Sequence, residues 1–242
     1  MLYKPLVSAF VTLFAAVLVI FGTGVTASAT MLYYHLDYEF SGGDPPQGAT
    51  PWITAIFDDQ ADGFGANGVR LTMLTTNLVD SEFVEQWLFN FSGDATALTF
   101  HAIDDGDAPP TDVNTGDNAF MADGDGKFDI QFVFDTAEGP DRFTGGEEVV
   151  YDIVYGSPIS YANFRLESQM GGGNGAYGSA AKIQAIAAGY CDPQTDPTCG
   201  SGWIGETEEG GGGPGSIVPE PLSAALVGTA LLGVVAIRRK RA

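Results

Sequence analysis

The strongest constraint on the fold is an alternation of apolar and polar side chains with a period of two residues. Residues 128–135 place Phe128, Ile130, Phe132 and Phe134 on one side and polar residues between them. This pattern predicts half-buried β-strands, because successive side chains of a strand point to opposite faces. Residues 87–91 and 149–155 repeat the pattern. Six further candidate strands lie at residues 32–40, 52–57, 69–75, 97–103, 163–168 and 180–187.

Segments rich in Gly, Pro and Asp separate the candidate strands, for example residues 41–46, 92–94 and 171–173. These residues favour tight turns. About nine short strands without a long amphipathic helix predict an all-β fold, a two-sheet β-sandwich of jelly-roll-like type. We expect this domain to cover residues 30–205.

The first 29 residues have the three parts of a secretory signal peptide. Lys4 supplies a basic start, residues 6–21 are apolar, and Ala27-Ser28-Ala29 is an A-x-A cleavage site. We expect signal peptidase to cleave after Ala29, because Ala27 and Ala29 are small. A retained N-terminal anchor is the alternative.

The C-terminus has four parts in a defined order. A Gly-rich linker at residues 206–217 precedes Val218-Pro219-Glu220-Pro221, an uncharged apolar segment at residues 222–237, and Arg238-Arg239-Lys240-Arg241. As a helix the apolar segment spans about 24 Å, and snorkelling arginines extend its reach across a bilayer. The basic cluster is expected on the cytoplasmic side, which places residues 30–217 outside. An ordinary tail anchor is the alternative.

This order resembles the PEP-CTERM sorting signal, which exosortases recognise and process. The resemblance implies a Gram-negative bacterium that makes exopolysaccharide, and removal of residues 218–242 or part of them. It also implies transient residence in the inner membrane before delivery to the cell envelope, surface or extracellular matrix. The middle of the chain is similar to a domain that often accompanies this signal, through residues 87–91, residues 118–129 and the glycine loop before Ala180.

The segment between the two termini is acidic. All 31 Asp and Glu residues lie between residues 30 and 221, and the whole chain has a formal net charge of −21. Such a surface repels nucleic acid, whose phosphates must be neutralised by Lys and Arg. We therefore expect no nucleic-acid partner, and the charge favours solubility and an affinity for cations.

The best local candidate for a metal site is Asp123-Gly124-Asp125-Gly126 together with Asp129. Calcium takes six to eight oxygen ligands, and glycines allow a loop to wrap around it. The EF-hand pattern is broken, however, because Met121 and Phe132 occupy its first and last ligand positions. The alternative is a polar turn that enters a strand. Calcium is the one cofactor that the sequence suggests.

Two cysteines, Cys191 and Cys199, enclose seven residues. In an exported protein they are expected to form a disulfide, because the compartment is oxidising. Metal or redox use is the weaker interpretation, since the spacing is not C-x-x-C and no His lies nearby.

No convincing catalytic pattern is found, and we expect a non-enzymatic protein. His35 and His101 lie in candidate strands, and a serine nucleophile would need an oriented base beside it. The pairs Asp58-Asp59 and Asp104-Asp105 could supply the carboxylates of a glycosidase, but solvated turns explain them as well.

Three other features have ordinary explanations. Residues 173–178 match G-x-G-x-x-G, but a strand is expected after them, where a nucleotide-binding site needs a helix. Trp87 alternates with other aromatic residues and is expected in the core. Trp203 is the better candidate for a surface platform that stacks on sugar rings.

Three functions remain open at this point. The leading expectation is a surface or matrix protein that associates with exopolysaccharide in a biofilm. The first alternative is a carbohydrate-binding module with structural calcium. The second alternative is a secreted glycoside hydrolase that uses carboxylates.

Overall fold

The computed structural model describes residues 30–61, 65–104, 106, 108–172, 176–186, 200–206 and 216–219, with residues 30 and 216–219 described by their backbone. These residues form fourteen strands and three short 3-10 helices. The strands are β1 (Thr30–Leu36), β2 (Tyr38–Glu39), β3 (Ile53–Asp58), β4 (Gly68–Leu74), β5 (Phe83–Phe89), β6 (Thr99–Asp104), β7 (Asp112–Ala122), β8 (Gly126–Val133), β9 (Phe143–Thr144), β10 (Glu148–Val154), β11 (Gln169–Met170), β12 (Ser179–Gln184), β13 (Ser201–Gly205) and β14 (Ser216–Pro219). The 3-10 helices are Gly65–Asn67, Ala95–Ala97 and Tyr161–Phe164.

The strands form two antiparallel sheets. Sheet A has the order β14-β1-β3-β4-β10-β6, and sheet B has the order β11-β8-β5-β12-β13-β2. Strand β7 also pairs with β8, and β9 pairs with β5. The first strand of the described chain, β1, is therefore an inner strand of sheet A, with β3 on one side and β14 on the other.

The inter-sheet core consists of the side chains that both sheets direct at each other. Sheet A contributes alternate residues such as Leu32, Phe57 and Leu71, and sheet B contributes Trp87 and Phe132, all with no exposed surface. Burying each such side chain contributes about 1.5–3 kcal/mol. Among the described residues, every buried side-chain nitrogen or oxygen atom has a hydrogen-bond partner. The Tyr34 hydroxyl, for example, donates to the carbonyl of Phe164 at 2.6 Å.

A second group of apolar residues, the outer cluster, lies on the opposite face of sheet B. Leu88 stands between the core residues Trp87 and Phe89, so its side chain faces away from the core. The outer cluster consists of Phe40, Leu88, Ala122, Phe128, Tyr177, Ala180 and Trp203, with Phe120 packed against it. Sheet B is thus buried on both faces over part of its area.

The predicted all-β fold and two-sheet β-sandwich are confirmed, while the jelly-roll variant stays a prediction. The strand predicted at residues 163–168 is wrong. Tyr161–Phe164 is a 3-10 helix, and its start is held by the Asn163 side-chain oxygen, which accepts from the Ser160 N–H at 2.9 Å. Phe128 packs in the outer cluster and Ile130 packs in the inter-sheet core, so the prediction that they share one face is wrong. The longest strand, β7, was not predicted.

Within the described residues, no helix has the length and apolar character needed to cross a membrane. The predicted signal peptide at residues 1–29 and the predicted helix at residues 222–237 lie outside the described residues.

Candidate functional site

The Asp-rich segment forms the turn of the β7–β8 hairpin. Asp123 and Gly124 are its central residues, and both have a positive φ, 46° and 81°. Such angles are those of the type I′ turn, which Asp-Gly favours because its twist matches that of the strands. The Asp125 N–H closes the turn by donating to the Ala122 carbonyl at 2.8 Å. The polar-turn interpretation therefore accounts for Asp123 and Gly124.

Asp129 is buried and holds the backbone together. Its carboxylate accepts the N–H of Phe91 at 3.0 Å and the N–H of Asn118 at 2.8 Å. Asn118 lies in the irregular part of β7, where the register with β8 shifts between Thr115 and Phe120. A carboxylate can satisfy two N–H groups that a strand irregularity leaves without a ladder partner. The two oxygens of Asp129 thus stabilise the end of β5 and the irregularity in β7.

The three predicted calcium ligands do not converge. Among the described residues, no group of three or more His, Cys, Asp or Glu side chains is arranged to hold a metal ion. Asp123 is exposed, Asp125 is buried, and Asp129 is bound to backbone amides. The pKa of Asp123 is raised above its usual value, first by partial burial and then by the neighbouring Asp125.

The glycine loop that follows β11 packs against this turn. The Gly171 N–H donates to the Asp125 carbonyl at 3.2 Å, and a side chain at Gly171 would collide with the Gly124 carbonyl. Of the G-x-G-x-x-G match, residues 173–175 lie outside the described residues. The segment after it is strand β12, as predicted, so the helix that a dinucleotide site requires is absent there.

Tyr177 anchors the loop to the outer cluster. Its ring stacks on Phe40 with the centroids 4.2 Å apart, and its N–H donates to the Ser168 hydroxyl at 3.1 Å. Burial, and then the charge of Asp125, raise the pKa of Tyr177 to about 12. The phenol of Tyr177 therefore keeps its proton to a higher pH than an exposed tyrosine does.

All three tryptophans are buried. Trp87 lies in the inter-sheet core, as predicted, and its indole N–H donates to the Ser179 hydroxyl at 2.8 Å. Trp52 donates to the Gly48 carbonyl at 3.0 Å. Trp203 is only 9% exposed in the outer cluster, so the prediction of a surface platform is wrong.

The remaining candidate side chains lie on the outer face of sheet A. Arg70 and Asp152 form a bidentate ion pair with N–O distances of 2.8 and 3.1 Å. His101 is opposite Asp152 in the register of β6 and β10, and Asp58 is opposite Arg70. His35 stacks on Tyr33, and its ring lies 3.2 Å from the Thr54 hydroxyl.

A surface depression of about 300 Å³ lies at one end of sheet A. Its lining comes from the end of β3, the first 3-10 helix and the segment after β10. The lining residues are Asp59, Gln60, Ala66, Pro158, Ile159, Ser160 and Asn163.

Hydrogen bonds hold the walls of this depression together. The Ile159 N–H donates to the Ala66 carbonyl at 2.9 Å, and the Tyr161 N–H donates to the Asp59 carboxylate at 3.4 Å. The lining includes a carboxylate, a carboxamide, a hydroxyl and an apolar side chain, from Asp59, Gln60, Ser160 and Ile159, and the Gln60 carboxamide donates to the Asp59 carboxylate at 2.8 Å. Its volume lies at the lower end of the range for small-molecule sites, about 300–1,000 Å³. Sequence reasoning found Asp59 but not the depression, because its walls come from three separate segments.

Only part of the predicted processing sites falls within the described residues. Val218 and Pro219 lie in β14, which crosses the predicted boundary between linker and sorting signal. The other processing residues lie outside the described residues, namely Ala27, Ala29, Glu220, Pro221, Arg238, Arg239, Lys240 and Arg241. Cys191 and Cys199 also lie outside, so the disulfide stays a prediction.

Comparisons with known proteins add no family to this description. A scan against protein-family models, a search of curated proteins and a search of solved structures each find no match to this chain.

Proposed function

We propose that this chain is an exported surface or matrix protein whose β-sandwich is delivered outside the cell after processing at both ends. The observation that carries the proposal is the order of the C-terminal parts: linker, Val218-Pro219-Glu220-Pro221, apolar segment and Arg238–Arg241. In this proposal an exosortase acts on the tail and signal peptidase acts after Ala29. The delivered domain is non-enzymatic and associates with exopolysaccharide.

Contacts of the described carboxylates support a structural role for several acidic residues. Asp129 binds two backbone amides, and Glu82 accepts the N–H groups of Gln47 at 2.7 Å and Val79 at 2.9 Å. Asp152 pairs with Arg70. A carboxylate committed to such contacts stabilises loops and strands, and the other acidic residues give the domain a hydrated, negatively charged surface.

Substitution in the sorting motif tests the processing. Glu220→Ala removes the charged residue of the motif, and Pro214→Ala changes a proline of the linker as a matched control. We expect the Glu220→Ala chain to keep its C-terminal tail and stay in the membrane fraction, and the Pro214→Ala chain to be processed like the unchanged protein. Equal processing of both variants contradicts the proposal.

A second candidate, a carbohydrate-binding module, is favoured by the depression beside β3. Sugars present vicinal hydroxyls and an apolar C–H face, which a carboxylate, a carboxamide and an apolar floor complement. The polar groups of Asp59 and Gln60 and the side chain of Ile159 provide this combination. The pocket size fits one sugar unit of a chain rather than an extended oligosaccharide.

Calorimetry with the organism's own exopolysaccharide tests this candidate. Asp59→Asn removes the carboxylate charge at the depression, and Asp112→Asn makes the same change at an exposed position on β7. A defined sugar site predicts affinity at least about tenfold lower for Asp59→Asn alone, which corresponds to 1.4 kcal/mol. Equal binding by both variants rules out this depression as the site.

A further inference from the structure

We propose that the folded domain itself gates removal of the tail. In the unprocessed chain the start of the sorting motif is held as edge strand β14 against β1, and the processing enzyme acts on chains in which β14 has separated from β1. The proposal rests on the proposed processing of the tail. It adds a conformational step that the sequence pattern does not contain.

The register places the two ends of the domain side by side. Strand β14 is antiparallel to β1, with Thr30 opposite Pro219, Met31 opposite Val218, and Tyr33 opposite Ser216. Neighbouring strands lie about 4.7–4.9 Å apart. The predicted cleavage after Ala29 makes Thr30 the first residue of the delivered chain. The residue that follows one processing site is therefore one strand spacing from the motif of the other.

The register also places the attachment points of both predicted membrane segments at one end of the strand pair. Because β1 begins where β14 ends, Thr30 and Pro219 are opposite each other at the same end of sheet A. Residue 222, where the apolar segment begins, is three residues beyond Pro219, and three extended residues reach at most about 11 Å. With residues 222–237 in the membrane, as proposed, the β1–β14 pair lies next to the bilayer until the tail is cut.

The two strands of this pair differ in how firmly they are held. Strand β1 pairs with β3 over six residue pairs, and its inward side chains Leu32, Tyr34 and Leu36 have no exposed surface. Strand β14 has four residues, pairs with β1 as its one partner among the described strands, and ends in a proline that has no N–H to donate. Short edge segments are the parts of a sheet that open locally. Opening therefore releases β14 and leaves β1 in place.

The pairing of β14 with β1 and the binding of the motif by the processing enzyme compete for the backbone of Val218 and Pro219. An enzyme that reads a linear motif binds it as an extended chain through its backbone N–H and C=O groups. In the paired state β1 occupies one edge of Val218 and Pro219 and fixes their position against the domain. The observed rate of processing is then the rate for the open chain multiplied by the fraction of chains that are open.

A disulfide clamp tests the strand pair and the gate together. Tyr33→Cys with Ser216→Cys joins residues that are directly opposite and leaves Val218–Pro221 unchanged. His35→Cys with Ser216→Cys is the matched control, shifted by two residues along β1. Cα atoms of directly opposite residues are about 4.5–5.5 Å apart, within disulfide range, whereas diagonal neighbours are beyond it. Cys191 and Cys199 are replaced by Ser in both chains so that no other thiol competes.

Two measurements are made on the full chain in the cells that process it. The first is the fraction cross-linked in the Glu220→Ala background, and we expect the in-register pair to link and the shifted pair not to link. The second is the rate of tail removal from the same cysteine variants with Glu220 unchanged. We expect the clamp to slow removal by about tenfold or more, with recovery when a reductant is added, because the open fraction falls. Equal cross-linking of both pairs, or unslowed removal from the linked chain, overturns the proposal.

A variant with weaker β1–β14 pairing is the opposite test, and its result does not depend on whether the disulfide variants fold. Ser216→Pro removes one ladder N–H without changing the motif. We expect tail removal about twofold faster or more, because the open fraction rises. An unchanged or slower rate overturns the gate. If the unchanged protein is never processed, the proposed function fails, while in-register cross-linking still reports whether the strands pair.

Discussion

The inter-sheet core and the outer cluster of sheet B are both built around aromatic side chains, but they are assembled differently. The core joins alternate residues of long strands from both sheets, such as Phe57, Phe89 and Phe132. The outer cluster joins one face of sheet B to residues from the glycine loop and the β7–β8 hairpin, such as Tyr177 and Phe120. Strand pairing therefore positions most of the core, to which loop residues such as Phe164 are added, whereas the attachment of Tyr177 to the outer cluster requires a loop to fold onto the sheet.

This difference indicates which parts of the molecule are essential to the fold. Loss of a core side chain affects the contact between the sheets. Loss of an outer side chain affects the attachment of a loop, and the sheet beneath it can persist. Asp129 lies at the junction, because Phe128 before it belongs to the outer cluster and Ile130 after it belongs to the core.

The largest effect is expected from a cavity in the core. Phe57→Ala removes a fully buried ring that packs on Tyr34, Phe89 and Phe164. We expect a loss of about 3–5 kcal/mol in the free energy of unfolding, measured by urea denaturation. Phe57→Leu retains most of the volume and is expected to cost less than about 1.5 kcal/mol. A small loss for the alanine variant would contradict the assignment of this core.

A smaller effect is expected from the outer cluster. Tyr177→Ala removes the ring that stacks on Phe40, and we expect a loss of about 2 kcal/mol, because the loop can partly collapse into the space. Hydrogen exchange should also become faster at residues 168 and 177, because the Ser168 N–H donates to the carbonyl of residue 177 and the N–H of residue 177 donates to the Ser168 hydroxyl. Little change is expected in β3 and β4. If protection in β3 and β4 falls by the same factor, the two regions are one cooperative unit.

Asp129→Asn tests the junction between the two regions. An asparagine oxygen can accept one backbone N–H, while its NH₂ group opposes the other. We expect a loss of about 1.5–2 kcal/mol in stability, since hydrogen bonds to a charged acceptor are worth more than neutral ones. Asp123→Asn, at the exposed position of the turn, is the matched control and should cost well under about 1 kcal/mol. Calcium should change the melting temperature of neither variant.

The smallest effect is expected in the pH dependence of the outer cluster. The pKa of Tyr177 is raised from 10.0 in the unfolded chain to about 12 in the folded protein. Between these values the unfolded chain loses the phenolic proton and the folded protein keeps it. Stability must therefore fall as the pH rises from 10 towards 12. Tyr177→Phe should flatten this part of the curve, and an identical slope in both proteins would show that the phenol does not titrate as described.

The sequence predicts the core strands well because their chemistry is local. Alternation at residues 149–155 and 69–75 identifies β10 and β4, whose inward residues are buried by the opposite sheet. Strand β7 carries polar residues along an exposed edge of sheet B, so its pattern resembles a loop. The 3-10 helix at Tyr161–Phe164 is held by a hydrogen bond from the Ser160 N–H to the Asn163 side chain. The spacing of apolar residues gives no information about such a bond.

The candidate sites were less accessible to sequence reasoning, because they depend on segments that are distant in the chain. The turn at Asp123 and Gly124 follows from its two residues. The role of Asp129 depends on amides of Phe91 and Asn118, and Trp203 is buried in a cluster with Phe40 and Tyr177. The pairing of β14 with β1 joins residues nearly 190 positions apart, and alternation within either segment contains no information about it.

In the proposed route, the β-sandwich is the part of the chain that is delivered, and both ends are removed on the way. Intact-mass spectrometry of the protein recovered from the cell surface tests this processing. We expect a species that begins at Thr30 and lacks Arg238–Arg241. A recovered protein that retains both apolar ends would contradict it.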